Sequence, residues 1–218
     1  MSKHELHLEI LDSGRLAVLQ KLDFLRNDHE FYLAGGTALA LHIGHRTSID
    51  FDFYAPRDFD PKALFSQFAK NFPKASSIHV ADGTLMVGVG EIELSFFRYQ
   101  YPMVKPLVET EHLDLASVHD IAAMKMIAIV QRGTKRDFVD MYYLLKRMSV
   151  ETLFQITRRK YSVFNKYIGL RSLTYFEDAD KKEDKRNIRV FEKIPWEKIK
   201  KEIINTVMEY KETNLPTR

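Results

Sequence analysis

The stretch FYLAGGTALALHIGHRTSIDFDFYAP constrains this chain more than any other part of it. FYLA reads as a short apolar strand that runs straight into Gly35-Gly36-Thr37. TALALHIG then reads as a helix of about two turns. IDFDFY alternates Ile49, Phe51 and Phe53 with Asp50, Asp52 and Tyr54, the period-two pattern of a strand with two different faces. Ala55-Pro56 ends it. Residues two apart on a strand share a face. Asp50 and Asp52 therefore lie side by side while Phe51 and Phe53 turn to the core.

Two like charges so close raise the free energy of the site unless a cation sits between them. Magnesium suits that role, because it takes hard oxygen ligands and keeps positions for water and phosphate. Upstream, Gly35 and Gly36 let the backbone approach a phosphate, and the helix start offers free N–H donors to an anion. Thr37 adds a hydroxyl. A third acid on a neighbouring strand would complete a two-metal site. EIELSF offers Glu91 and Glu93 on one face. Glu93, flanked by Ile92 and Leu94, is the preferred candidate. It would bind the metal that activates the acceptor hydroxyl, or act as base.

The surrounding pattern sets the fold class. Leu16, Leu19, Leu22 and Leu25 predict an amphipathic helix over 13–28. Pro61 opens a helix to Asn71. SSIHVA and TLMVGV flank Asp82-Gly83, a hairpin signal. After Pro102 and Pro106 the character turns helical. One helix spans 117–132, where Ser117 and Asp120 resemble a capping box. A second follows Gly133-Thr134, and a last one begins near Pro195. EDADKKEDKRN at 177–187 is expected to be a mobile loop. The expectation is an α+β part over 1–110 and a helical part over 111–218.

Composition narrows the function classes. The 218 residues contain no cysteine, which excludes a disulfide scaffold, a cysteine nucleophile and thiolate zinc. No apolar run reaches the length of a membrane span and no signal-peptide core opens the chain, so a cytoplasmic protein is expected. Residues 1–150 carry 17 Lys+Arg against 19 Asp+Glu, or −2, and residues 151–218 carry 16 against 11, or +5. The basic last third is compatible with a polyanionic partner. His42 and His45 lack a convincing third metal ligand. Arg132, Lys135 and Arg136 cluster around Gly133.

Gly-Gly-Thr-x12-Asp-x-Asp resembles the signature of the DNA polymerase β-like nucleotidyltransferases. More closely, AGGTALALHIGHRTSIDFDFY resembles the AbiEii/AbiGii nucleotidyltransferase toxin family. MKMIAIVQRGTKRDFVDMYYLL is similar to that family's downstream lysine and Arg-Asp helices. The resemblance implies a polymerase-β-like mixed sheet with flanking helices, followed by a helical part. It implies Gly35, Gly36 and Thr37 at the triphosphate, Asp50 and Asp52 as Mg ligands, and Lys125 and Asp137 as further active-site residues. Arg46 and Ser48 match the family's usual approach to its acidic pair. The implied activity moves a nucleoside monophosphate from an NTP to an acceptor hydroxyl of RNA, such as tRNA, or of protein. The implied setting is a toxin–antitoxin or phage-defence pair with a cognate antitoxin. A small-molecule (antibiotic-type) nucleotidyltransferase and a catalytically degenerate binding protein are the alternatives.

Overall fold

The computed structural model describes residues 6–181 and 188–214. Two compact units emerge. One holds the described residues up to Tyr101 together with Pro106–Ser117; the other holds Pro102–Lys105 together with the described residues from Val118 onward.

The first unit begins with a 3-10 turn at Leu8–Ile10 and two short helices, α1 (Ser13–Leu19) and α2 (Asp23–His29). The leucine spacing predicts one helix there. The chain instead tightens at Lys21 and Leu22, whose N–H groups donate to Val18 and Leu19, three residues back. Such bonds close a final turn and stop an α-helix. The break leaves both Leu22 and Leu25 fully buried. Next come β1 (Tyr32–Ala34), α3 (Gly35–Ile43), β2 (Phe51–Ala55), α4 (Pro61–Asn71), β3 (Ala75–Ala81), β4 (Thr84–Val89) and β5 (Ile92–Arg98). Asp60 caps α4 by accepting the N–H groups of Lys62 and Ala63, with Pro61 at the first helical position.

Two short strands that the sequence pattern does not announce, β6 (Val108–Glu109) and β7 (Asp114–Leu115), complete the sheet. The seven strands lie in the order β3-β4-β5-β2-β1-β7-β6. β2 runs antiparallel to β1 and parallel to β5. Because 106–117 belongs to the sheet, the units divide at 117/118, whereas the sequence places the division at 110. One face of β2 carries the core: the Phe53 ring stacks on Phe96 with centroids 5.2 Å apart, and Phe31 meets Phe96 edge-on at 5.3 Å. The buried positions of β2 are Phe51, Phe53 and Ala55; Asp52 and Tyr54 are half-buried. The strand thus has the two faces its alternation predicts.

The second unit is helical: α5 (Val118–Gln131), α6 (Lys135–Leu145), α7 (Val150–Lys160), α8 (Lys166–Leu173), α9 (Glu177–Lys181) and α10 (Trp196–Asn214). Phe138 packs on Phe176 at 4.6 Å, and Phe176 on Trp196 at 5.9 Å. Of the expected loop at 177–187, the first five residues form α9; residues 182–187 lie outside the described residues. A buried ion pair joins Lys160 to Asp120 at 2.9 Å. Asp120 also accepts the N–H groups of Val104 at 2.8 Å and Lys105 at 3.1 Å, and Lys160 donates to the Pro102 carbonyl at 3.0 Å. Asp120 therefore does more than open α5: it ties the proline-bracketed segment to α5 and α7. Among the described residues, no helix is long and apolar enough to cross a membrane.

Candidate active site

In the first unit the acids and the glycine turn are neighbours by register. Ala34, the last residue of β1, pairs with Asp52 of β2, so the residue after Ala34 meets the Asp52 side chain. A Cβ on Gly35 would stand 2.8 Å from Asp52 Oδ2. Gly35 also has φ +67°, a conformation in which a side chain is strained. Glycine is therefore required at that position twice over. Gly36 has a different neighbour: a Cβ there would collide with Nη2 of Arg46. The guanidinium lies against the start of α3. Arg46 is buried and also donates to the Thr47 carbonyl at 2.9 Å and to Ser48 Oγ at 3.3 Å.

Thr37 lies in the first turn of α3 and is 2% exposed. Its hydroxyl donates to the backbone carbonyl of Asp50 and sits 2.8 Å from Ser48 Oγ. Thr37 and Ser48 thus fix the backbone that leads into the acid-bearing strand. The N-cap position of α3 is Ala34, whose methyl group offers no cap of its own. The first-turn N–H groups and the positive end of the helix dipole thus lie beside the Asp52 carboxylate.

Glu93 reaches the same face from β5. The parallel ladder pairs Phe51 with Leu94 and Asp52 with Ser95, so Glu93, two before Ser95, shares the face of Asp52. Glu93 is half-buried on this face, whereas Glu91 is exposed in the turn before β5. Among the described residues, no three His, Asp or Glu side chains come together closely enough to hold a metal. The sheet brings Glu93 to the face of Asp52 without gathering it into a three-ligand cluster among the described residues. Two half-buried carboxylates beside a phosphate-sized helix end still fit magnesium, which ordinarily takes one or two protein carboxylates and fills its other positions with water and phosphate oxygens. His42 Nε2 lies 2.9 Å from the Ala116 carbonyl, a structural hydrogen bond.

Lys125 and Asp137 belong to the second unit. Lys125, 7% exposed, projects from α5 to Asp137 Oδ1 at 3.0 Å and to Asp140 Oδ2 at 2.7 Å. Arg132 adds two further bonds to Asp137, at 3.1 and 3.3 Å. The Thr134 hydroxyl and N–H donate to Asp137 at 2.7 and 3.3 Å, which caps α6. Burial on its own would raise the Asp137 carboxyl, but the charge of Lys125 and the bonds from Arg132 and Thr134 outweigh it and hold the group down at about 2. Lys135, the third member of the basic cluster near Gly133, lies 5.3 Å over the Trp196 ring.

Comparison with known proteins settles the family. Residues 17–212 match the model for the nucleotidyl transferase AbiEii toxin of type IV toxin–antitoxin systems. The chain belongs to the AbiEii/AbiGii nucleotidyltransferase toxin family. That family lies within the polymerase-β-like superfamily, as the Gly-Gly-Thr and Asp-x-Asp pattern implies. An uncharacterized protein of Aquifex aeolicus (strain VF5) is 35% identical over 202 residues, covering 89% of this chain and 94% of its own. Among solved structures, the nucleotidyltransferase toxin MenT4 of Mycobacterium tuberculosis H37Rv superposes with a TM-score of 0.61 at 16% identity, over 93% of this chain and 83% of that one. JHP933 from Helicobacter pylori gives 0.55 at 15% identity, over 95% and 94%. At these identities the two structures share the fold.

Proposed function

We propose that this AbiEii-family chain is a Mg-dependent nucleotidyltransferase that moves a nucleoside monophosphate from an NTP to an acceptor hydroxyl in the cytoplasm. One observation carries the proposal: the Asp52 carboxylate packs against Gly35 at the start of α3. A metal-binding group and an anion-binding helix end are thereby side by side, which is what a metal–triphosphate complex needs.

Asp50 and Asp52 would hold the metal, and the N–H groups at Gly35 and Gly36 would receive the triphosphate. Bound there, magnesium neutralises charge on the transferring phosphoryl group and on the departing pyrophosphate. The acceptor oxygen forms a bond to the α-phosphorus as the bond to the pyrophosphate oxygen breaks. The acceptor proton passes to Glu93, which shares the face of Asp52 and lies in no three-ligand cluster among the described residues. Arg46, held against Gly36, supplies positive charge next to the phosphates. Thr37 and Ser48 act by positioning the Asp50 backbone. For Lys125 and Asp137 the family likeness adds an active-site role in the second unit; loss of NTP affinity in Lys125→Arg, a substitution that keeps the charge, would support it.

Family membership supports a toxin whose action a cognate antitoxin opposes. The acceptor is an RNA, with tRNA first to be tried, or a protein. The test is incubation with Mg and each α-labelled NTP in the presence of total tRNA and of cell extract. Label should move to one macromolecular fraction with wild type and stay in the nucleotide with Asp50→Ala/Asp52→Ala.

A further inference from the structure

Charge is spread unevenly over the helical unit. From Thr152 to Phe176 the chain carries five cations, Arg158, Arg159, Lys160, Lys166 and Arg171, and no acid. Lys160 is buried and held by Asp120. The other four are exposed, and among the described residues none of them forms an ion pair. Around α9 and α10 the opposite holds: Lys181 pairs with Glu177, Lys198 with Glu202, and Lys200 with both Asp180 and Glu197. That solvated surface balances its charges; the stretch 152–176 does not.

The fold gathers this stretch at one corner. Arg158 and Arg159 lie in the last turn of α7, and Lys166 opens α8 after a short turn. The Phe154 and Phe164 rings are 5.4 Å apart. A Cβ on Gly169 would stand 2.7 Å from Phe164 Cζ and 3.2 Å from Phe154 Cε1, so α8 lies directly against the end of α7. Arg158 is one turn beyond Phe154 and Lys166 one turn before Gly169, which sets cations on both sides of this contact. α8 exposes Tyr167 at 61%, with Arg171 four residues on along the same face. The Lys166 ammonium lies 5.3 Å over the Tyr167 ring.

We propose that the α7–α8 corner is a docking surface for single-stranded RNA. This deepens the transferase reading above and rests on it: of the two acceptor classes it selects RNA over protein. Four cations without acidic partners call for a polyanion, and arginine forks fit phosphate oxygens. An acidic peptide would satisfy that charge but not the exposed Tyr167 ring beside it. An unpaired base would satisfy both, stacking on the ring while its phosphates meet the cations. An anionic membrane would call for a broader apolar face than the two turns of α8 present.

Fluorescence anisotropy of a labelled single-stranded RNA of mixed sequence, titrated with the full chain without NTP or Mg, tests this. Wild type should bind with an affinity that falls as salt rises. Arg158→Gln/Arg159→Gln and Lys166→Gln/Arg171→Gln, all at exposed positions, should each weaken binding about tenfold and lower the salt slope by about 1.4. Tyr167→Ala should weaken it about tenfold with the slope unchanged, and Tyr167→Phe should bind like wild type. Asp50→Ala/Asp52→Ala should also bind RNA like wild type, so failure of nucleotide transfer with this binding intact counts against the activity and leaves the surface standing. RNA affinity unchanged in both charge variants would overturn the proposal, as would affinity unchanged in Tyr167→Ala. So would tighter binding of wild type to anionic vesicles or to polyglutamate than to RNA.

Discussion

The two units carry acids in opposite circumstances. In the sheet unit, Asp50 leads into β2 and Asp52 lies on it, and both are half-buried, Asp52 beside a helix start. In the helical unit, Asp137 and Asp140 are 1% and 0% exposed, and Lys125 bridges them. Buried acids must be paired, because an uncompensated charge in the interior costs several kcal/mol. Asp50 and Asp52, half-buried, stay within reach of solvent. On the proposed function, the contrast separates charge that holds a fold from charge that serves a ligand. It also predicts opposite responses to the same kind of mutation.

The sharpest way to break this contrast is Lys125→Ala. It removes the ammonium that bridges two buried carboxylates and should cost about 3–5 kcal/mol in denaturant unfolding. A loss under about 0.5 kcal/mol would show that the buried network contributes little. Acid comes next. Asp137 titrates at about 2 in the folded chain against an ordinary 3.8. A lowered carboxyl adds stability above its unfolded value and loses it as pH falls through the folded one. Stability from this group should therefore be full above about pH 4 and decline towards pH 2, by about 2 kcal/mol. Asp137→Asn should flatten that part of the pH–stability curve. Gly36→Ala should cost about 1 kcal/mol, because only the end of the Arg46 side chain has to move, and should weaken NTP binding more visibly in calorimetry. Asp52→Asn should change stability least, by under about 0.5 kcal/mol, since it relieves repulsion. A large destabilisation there would put Asp52 with the fold-holding acids.

Local pattern made much of the sheet unit legible. Alternation in IDFDFY placed Phe51 and Phe53 inward and Asp52 on the other face, though the strand itself begins only at Phe51, and Pro61, Asn71 and Asp82-Gly83 marked elements found where they were expected. What stayed hidden is non-local. The parallel pairing of β2 with β5 decides that Glu93 shares the face of Asp52, and no spacing within EIELSF encodes it. The contact between Gly36 and Arg46 arises from how the loop after α3 folds back. Asp120 and Lys160, forty positions apart, announce themselves only as ordinary helix residues. β6 and β7 are too short to show alternation. Lys125 was conspicuous as a charge among apolar neighbours, yet its partners became definite only with the turn that brings α6 back along α5.

One measurement bears most directly on the central claim that Asp50 and Asp52 form a catalytic pair beside the α3 helix start. Purified wild type and Asp50→Ala/Asp52→Ala, matched by circular dichroism, would be incubated with Mg, each α-labelled NTP, total tRNA and cell extract. Label should transfer to a single RNA or protein fraction with wild type, and transfer should fall by at least about 10³-fold in the variant. Equal transfer by the two proteins would contradict the assignment of these acids, and no transfer by wild type with any nucleotide would contradict the activity itself.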